Sequence, residues 1–181
     1  PIQHCCDRIL KLMGRRTNSE QIRSLISKIR AEIPDAAIRT SIIVGFPGET
    51  QEEFEDLCEF VKEIRFERMG VFAYSREEDT PAYDFDNQID EDEKMRRRDL
   101  LMFIQSDIAQ EQNSAKIGTK IRVLTEDKDE IIKSYFGRTY ADSEEVDGKV
   151  FFKSDRVIQS GEFVEVEVEQ AMEYDLFGKE I

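Results

Sequence analysis

The sequence has no tryptophan, a single histidine and only three cysteines among its 181 residues. Cys5 and Cys6 are adjacent and Cys58 lies far along the chain, so no pair has the C-x-x-C spacing of a structural zinc site. No apolar run approaches the roughly 20 residues that a membrane helix needs, and no signal peptide is recognisable. We therefore expect a cytoplasmic protein without a disulfide framework, a metal site or membrane contact.

Negative charge outweighs positive charge in this chain. Lysine and arginine total 26 against 40 aspartate and glutamate residues, which gives a net charge of −14. Such a chain repels phosphate backbones, so nucleic acid is disfavoured as the primary ligand and a basic protein is favoured as partner. Apolar residues make up 39% of the sequence, and twelve phenylalanines supply core material for one large domain or two small ones.

Residues 1–117 alternate between helical and strand-like patterns. Thr17 with Glu20, and Thr50 with Glu53, have the spacing of capping boxes at two helix starts. Apolar residues recur at three- and four-residue steps after each box, as a buried helix face requires. The predicted elements are helices over 17–33, 50–64 and 90–115, strands over 38–46 and 71–74, and a loop over 76–90. This order favours a parallel sheet covered by helices.

Several side chains in this part carry specific expectations. The continuous apolar run Ile42–Val44 predicts a strand covered on both faces. Leu25 is expected on the buried stripe of the first helix, and Arg96–Arg98 on a solvated, salt-bridged face of the last one. A lone histidine is more often a satisfied structural group than a base, and that is the reading we favour for His4 from residue type alone.

Several short strand-like segments follow residue 117. They cover 121–124, 131–140, 150–152 and 163–169, and Gly137 interrupts the second of them. In the last segment valines alternate strictly with Glu165, Glu167 and Glu169, which indicates one buried and one solvated face. Short strands at this spacing predict a small antiparallel β-barrel. Residues 1–117 carry 17 basic and 24 acidic groups and residues 118–181 carry 9 and 16, so each part has a net charge of −7.

A glycine-rich turn, Gly45–Thr50, connects the first predicted strand to the second helix. Ligands of parallel α/β proteins bind at this edge, beyond the carboxyl ends of the strands. Glycines allow a close approach to the backbone, and N–H groups at a helix start meet polar atoms. The P-loop ending Gly-Lys-Ser/Thr is missing, and a plain tight turn is the alternative. The residues alone show no complete catalytic set of nucleophile, base and orienting group.

Taken in chain order, several motifs resemble the radical-SAM methylthiotransferase family. They are Pro1–His4, Arg8–Arg16, Arg39–Thr50, Gly70–Ser75, Gly137–Asp142, Val146–Gly148 and Tyr174–Gly178. The resemblance covers essentially the whole chain, and its last motifs are similar to the branch that modifies a ribosomal protein. It implies an α/β fold, the C-terminal part of a partial (β/α)6 radical-SAM barrel over residues 1–117, followed by a TRAM β-barrel over residues 118–181.

The resemblance also implies an activity. Enzymes of that branch add a methylthio group to the β-carbon of an aspartate in the small-subunit ribosomal protein numbered twelve. Their cofactors are S-adenosylmethionine and two 4Fe-4S clusters, one of them held by a C-x-x-x-C-x-x-C loop. Neither cluster motif is present among these residues, so we expect a piece of a larger enzyme that is inactive alone. Two alternatives stay open, a piece of the sister enzyme that modifies an adenosine in tRNA and a non-catalytic α/β plus β-barrel binding module.

The resemblance further implies which residues support S-adenosylmethionine. Val44 and Gly45 would offer apolar and backbone contact to adenine, and Phe72 and Tyr74 would flank the same ring. For Val44 and Phe72, plain core packing is the alternative. The polar candidates near the ribose or the methionyl carboxylate are Gln3, His4, Arg39 and Ser41. Among these, Arg39 suits a carboxylate because its guanidinium presents a charged fork.

The charge of the predicted barrel bears on the substrate. A tRNA-binding barrel should present lysine and arginine to phosphates, whereas this one is acidic. Glu165, Glu167 and Glu169 are candidates for contact with a basic substrate protein. The simpler alternative is that these three carboxylates form the solvated face of a half-buried strand.

Overall fold

The computed structural model describes all 181 residues. The chain divides into two compact units, Pro1–Ile108 and Ala109–Ile181, each with its own apolar core. The domain limits 1–117 and 118–181 remain a proposal. None of the helices combines the length and the apolar character that a membrane crossing requires.

The first unit contains a small parallel sheet packed against helices. Its elements are α1 Asp7–Leu12, α2 Ser19–Glu32, β1 Arg39–Val44, α3 Gln51–Ile64, β2 Arg68–Ala73 and a short 3-10 turn, Pro81–Asp84. Helix α4, Glu91–Ser114, begins in this unit and continues past its last residue, Ile108. Strands β1 and β2 are parallel, with Ser41 opposite Gly70, and Gln3 forms a parallel bridge to Ile42. The expected parallel sheet is therefore confirmed.

Strand β1 is buried mainly on one face. Thr40, Ile42 and Val44 are buried, whereas Ser41 and Ile43 on the other face are half-buried. The expectation of a strand fully covered on both faces is therefore wrong. The physical reason is that the helices pack on one side of this sheet, and only a small apolar cluster around Ile43 covers part of the other.

Helix α3 follows the sequence prediction closely. Its capping box joins Thr50 to Glu53 in both directions, with the Thr50 N–H donating to the Glu53 carboxylate at 2.9 Å. The apolar stripe of the helix is buried and packs against the core face of β1. The residues of this stripe are Phe54, Leu57, Cys58, Val61 and Ile64. Burial of this stripe fixes the end of the Gly45–Thr50 turn that enters the helix.

Helix α2 differs from the prediction at its start and on its buried face. Its capping box joins Asn18 to Gln21, because Asn18 adopts the extended conformation and its side chain accepts from the Gln21 N–H at 2.9 Å. The predicted box of Thr17 and Glu20 is wrong by one residue. Leu25 is 59% exposed, because Ile22 and Ile26 direct the buried face and Leu25 lies beside it. Helix α1, only six residues long, was not predicted.

The second unit is a closed five-stranded barrel. Its strands are β3 Lys120–Asp129, β4 Ser134–Arg138, β5 Val150–Lys153, β6 Phe163–Ala171 and β7 Leu176–Glu180, in the spatial order β3-β4-β5-β7-β6. The barrel is confirmed, but it is not wholly antiparallel because β5 and β7 run parallel. Gly137 lies inside β4 instead of interrupting it. A Cβ at this position would come within 2.1 Å of the Leu124 carbonyl oxygen, so the close approach of β3 and β4 requires glycine here.

Candidate functional site: a fixed turn beside an apolar groove

The turn that follows β1 needs glycine for two separate reasons. Gly45 and Gly48 have φ angles of +73° and +80°, which lie in the left-handed region that side chains disfavour. At Gly45 a Cβ would also come within 2.5 Å of the Lys94 side chain. Lys94 is itself buried, paired with Glu91 at 2.5 Å. The turn can therefore adopt this path only without a side chain at Gly45.

The carboxylate of Glu49 fixes this turn from inside. It is fully buried and accepts three hydrogen bonds, from His4 Nε2 at 2.8 Å, from the Gly45 N–H at 2.6 Å and from Arg97 Nη1 at 2.6 Å. A buried carboxylate is stable only when it is paired and its lone pairs are satisfied. We call His4, Gly45, Glu49 and Arg97 the Glu49 network. It ties the N-terminal segment and α4 to the turn.

His4 is fully buried and both of its ring nitrogens have partners. Nδ1 accepts from the Cys6 backbone N–H at 2.9 Å, so it carries no proton and the ring donates to Glu49 through Nε2. This arrangement agrees with the reading of His4 as a satisfied structural group. The ring acts on the turn through Glu49, and neither ring nitrogen is left without a partner.

The three consecutive arginines of α4 have different environments. Arg97 is buried against Glu49 and Glu93, and its guanidinium lies 5.3 Å from the centre of the Phe54 ring. For Arg97 the expected solvated face is therefore wrong, because the Glu49 carboxylate receives it inside the core. Arg96 is exposed, and its hydrogen bond, followed by that of Arg97, lowers the pKa of Glu93 to about 2.

Arg8 holds the second half of the turn. Its guanidinium donates to the Glu53 carboxylate at 2.7 Å and to the Gly48 carbonyl at 2.7 Å. The hydrogen bond from Arg8 lowers the pKa of Glu53 to about 2, although burial opposes this shift. The Cys6 thiol also donates to Glu53, at 3.1 Å. The turn is thus anchored by one carboxylate on each side, Glu49 and Glu53.

A groove of about 400 Å³ lies on the less covered face of the sheet. It is lined by Gln3, Leu12, Met13, Gly14, Arg15, Ile43, Phe46, Tyr74, Thr80, Pro81 and Ala82. Tyr74 packs edge-on against Phe46 with ring centres 5.2 Å apart, and burial raises the pKa of its hydroxyl. That hydroxyl is buried without a hydrogen-bond partner, which is costly unless a ligand supplies one.

The structure gathers only some of the residues expected to support the cofactor. Gln3 and Tyr74 line the groove, and Gly45 follows the neighbouring strand end. Phe72 is 58% exposed and shares a sheet face with Ile43, its register partner, so it is not a core residue. Val44 is fully buried in the helix-side core, which leaves only its backbone for a ligand.

Two polar candidates lie elsewhere on β1. Ser41 is half-buried in the middle of the strand, where its carbonyl accepts from the Gln3 N–H at 3.0 Å. Arg39 begins the strand and Gly45 follows its other end. Six extended residues span roughly 20 Å, so the structure does not bring Arg39 to the turn.

The cysteines do not form a cluster site. Burial raises the pKa of Cys5 to about 12 and that of Cys58 to about 11, so neither is a ready thiolate. No three histidine, cysteine, aspartate or glutamate side chains are grouped to hold a metal ion. Iron–sulfur clusters require thiolate ligands, and these residues do not fit one.

The glutamates on the outer face of β6 lie beside cations. The buried valines and exposed glutamates alternate as predicted. Glu165 is the register partner of Arg122, and Glu167 is flanked by Lys120 on β3 and Lys179 on β7. Opposite charges across strands compensate one another, so this row is less acidic than the sequence suggests.

Sequence reasoning missed the partners that fix the turn. Glu49 was noted only as part of a motif, and Arg97 only as part of a charge run. Hydrogen-bonded partners in the Glu49 network lie as far as 48 positions apart in the chain, so no local pattern joins them. A buried role for Arg97 could be suspected only from its position on the same helical face as Leu101, at i and i+4.

Comparison with known proteins agrees with this architecture. Residues 1–61 match the model of the radical SAM superfamily, and residues 117–181 match that of the TRAM domain. The chain is 53% identical over 178 residues to the ribosomal protein uS12 methylthiotransferase RimO of Clostridioides difficile (strain 630). It is 48% identical over 181 residues to the protein of the same name from Acetivibrio thermocellus. These matches cover 98% and 100% of this chain and 40% of each relative, so the chain spans about two fifths of their length. Over its whole length the chain is therefore similar to the radical-SAM methylthiotransferases.

Proposed function

We propose that this chain is the part of a ribosomal-protein methylthiotransferase that supports S-adenosylmethionine and faces the substrate protein. The reaction would attach a methylthio group to the β-carbon of an aspartate in the small-subunit ribosomal protein uS12. The observation that carries the proposal is the Gly45–Glu49 turn, which the Glu49 network fixes at the carboxyl end of β1. Ligands of parallel α/β folds bind at that edge.

The residues around the turn suit the support of S-adenosylmethionine. Phe72 offers an exposed aromatic face on the neighbouring strand, whereas Gly45 is buried against the Lys94 side chain and shapes the path of the turn. Tyr74 adds a buried hydroxyl in need of a partner. When bound, S-adenosylmethionine would supply the radical and the methyl group. The role of this chain is to position S-adenosylmethionine, since a rigid turn holds a bound molecule in one orientation for the reaction.

The clusters that such an enzyme uses do not fit the three cysteines of this chain. Cys5 and Cys58 are buried thiols with raised pKa values, and the Cys6 thiol donates a hydrogen bond to the Glu53 carboxylate. We therefore propose that the 181 residues alone are inactive. After iron–sulfur reconstitution, the chain should produce no 5′-deoxyadenosine from S-adenosylmethionine. Production of it by this chain alone would overturn the inactivity proposal.

The charge of the chain supports a protein substrate over tRNA. Both parts carry a net charge of −7, and phosphate contacts require lysine and arginine. We expect the chain to bind purified uS12 and to bind tRNA weakly at 150 mM salt, on the order of the physiological ionic strength. Tight tRNA binding with a steep salt dependence would instead favour the tRNA-modifying sister enzyme. Binding of neither would favour a binding module for another partner.

A further inference from the structure

The groove beside β1 holds three hydrogen-bond donors whose side chains have no partner. They are the Arg15 guanidinium, the Gln3 side-chain amide and the Tyr74 hydroxyl, which is buried. Arg15 and Arg16 are the two arginines of the chain whose side chains make no ion pair, hydrogen bond or aromatic contact.

The lining of this groove is free of acidic side chains. Its other members are apolar or small, apart from Thr80, whose hydroxyl already donates to the Glu77 carbonyl at 2.8 Å. The groove is therefore a cationic and apolar concavity in an acidic protein. Apolar walls lower the local dielectric and strengthen the attraction between a guanidinium and an anion.

The backbone beneath the groove is strained where it presents Gln3. This residue has a φ angle of +69°, while its N–H and carbonyl are both bonded to β1. A non-glycine residue in the left-handed region is costly and occurs preferentially at ligand-binding positions. The bridge to β1 thus holds the Gln3 side chain at the groove, where it remains unpaired.

We propose that this groove, which we name the Arg15 groove, binds a carboxylate, with Arg15 as the anchoring cation and Gln3 and Tyr74 as neutral donors. A guanidinium fork matches the two oxygens of a carboxylate. The inference rests on the proposed function, which brings two carboxylates to this edge of the sheet. One is the amino-acid carboxylate of S-adenosylmethionine, and the other is the acidic side chain of the acceptor residue.

The experiment uses two matched pairs of probes on the 181-residue chain. One pair is S-adenosylmethionine and its decarboxylated analogue, and the other is a basic uS12 loop peptide with a central aspartate and the same peptide with asparagine. Binding is followed by ¹H–¹⁵N NMR, which detects weak affinity and includes the Arg15 Nε–H signal. In one of the two pairs, the chain should bind the probe with the carboxylate at least ~10-fold more tightly than the probe without it. That pair shows whether the carboxylate comes from S-adenosylmethionine or from the acceptor aspartate.

The control variant is provided by the neighbouring arginine. Arg15→Gln and Arg16→Gln make the same charge change at adjacent exposed positions, and only Arg15 lines the groove. Arg15→Gln should abolish the preference for the carboxylate probe, and Arg16→Gln should leave that preference unchanged. Arg15→Lys keeps the positive charge without the fork and should retain part of the preference. Tyr74→Phe should weaken the same probe several-fold.

Two results would overturn the carboxylate site. One is the absence of discrimination in both probe pairs, with or without measurable binding, and the other is equal behaviour of Arg15→Gln and Arg16→Gln. The proposed function is judged separately, by binding of whole uS12 against tRNA. A chain that binds uS12 but ignores the carboxylate in both pairs would refute the Arg15 groove and leave the proposed function intact.

Discussion

Replacing Arg97 by methionine should destabilise the Pro1–Ile108 unit by about 3 kcal/mol, because it leaves the Glu49 carboxylate buried without its cation. Breaking a buried ion pair from one side costs about 3 to 5 kcal/mol. The low end applies here because Glu49 keeps its hydrogen bonds from His4 and the Gly45 N–H. Methionine keeps much of the volume and the contact with Phe54, so the loss reports on charge more than on packing.

The measurement is urea unfolding followed by far-UV circular dichroism, since the chain has no tryptophan to report by fluorescence. Hydrogen exchange of the peptides around Gly45 assigns the loss to the turn. Arg96→Met is the matched control, because Arg96 lies next to Arg97 on the same helix but is exposed. It removes an exposed pair with Glu93, which keeps its hydrogen bond from Arg97, so the control should cost less than about 1 kcal/mol.

A double-variant cycle separates the charge effect from packing. In Glu49→Gln with Arg97→Met, no carboxylate is left unpaired, so the combined loss should be smaller than the two single losses added together. The reasoning is refuted if Arg97→Met costs less than about 1 kcal/mol, the range of an exposed pair. It is equally refuted if the two single losses simply add.

Three further perturbations test other parts of the description. Because Arg8 lowers the pKa of Glu53 to about 2, the stability from this pair is present above the ordinary carboxyl pKa and is lost as pH falls from about 4.5 towards 2. After allowance for solvent screening, this stability amounts to about 1 kcal/mol. In Glu53→Gln the free energy of unfolding should therefore fall less steeply as the pH is lowered, and the same pH dependence in the variant would contradict the pairing. Gly178→Ala should lower the melting temperature of the barrel, because a Cβ would come within 2.1 Å of a carbonyl oxygen on the neighbouring strand. The expected loss of stability is about 2 kcal/mol. An unchanged melting curve would show that the two strands move apart at no cost and would refute the close contact. All three thiols, whose pKa values are raised chiefly by burial, should react slowly with a disulfide reagent at neutral pH and rapidly in urea, and fast reaction of the native chain would refute their protection.

The elements predicted best are those whose signal is local in the sequence. The box of Thr50 and Glu53 and the stripe that follows it define α3, because capping and one-sided burial depend on residues within a few turns. The valine and glutamate alternation defines β6 for the same reason. Where two capping residues compete side by side, as Thr17 and Asn18 do, pattern alone does not decide which one takes the extended conformation.

The sequence predicts the position of the candidate site in the fold more accurately than it predicts which side chains form the site. The glycine turn after β1 could be located from the order of elements and from the resemblance to a family. Arg39 stays a predicted contact to the ribose or the methionyl carboxylate, and the structure places it at the other end of β1 from the turn. Arg97 was read as solvated, because a charge run gives no sign of a partner 48 residues away.

The order of the residues alone predicts an acidic α/β layer followed by a small β-barrel, and it carries the resemblance to a family. These properties follow from composition, from periodicity and from short motifs, each read within a few residues. The burial of the Glu49 carboxylate between His4 and Arg97, and the position of Arg15 at a groove without an acid, appear only in the folded chain. Burial and pairing depend on which distant segments meet, and β1 is the element that brings them together.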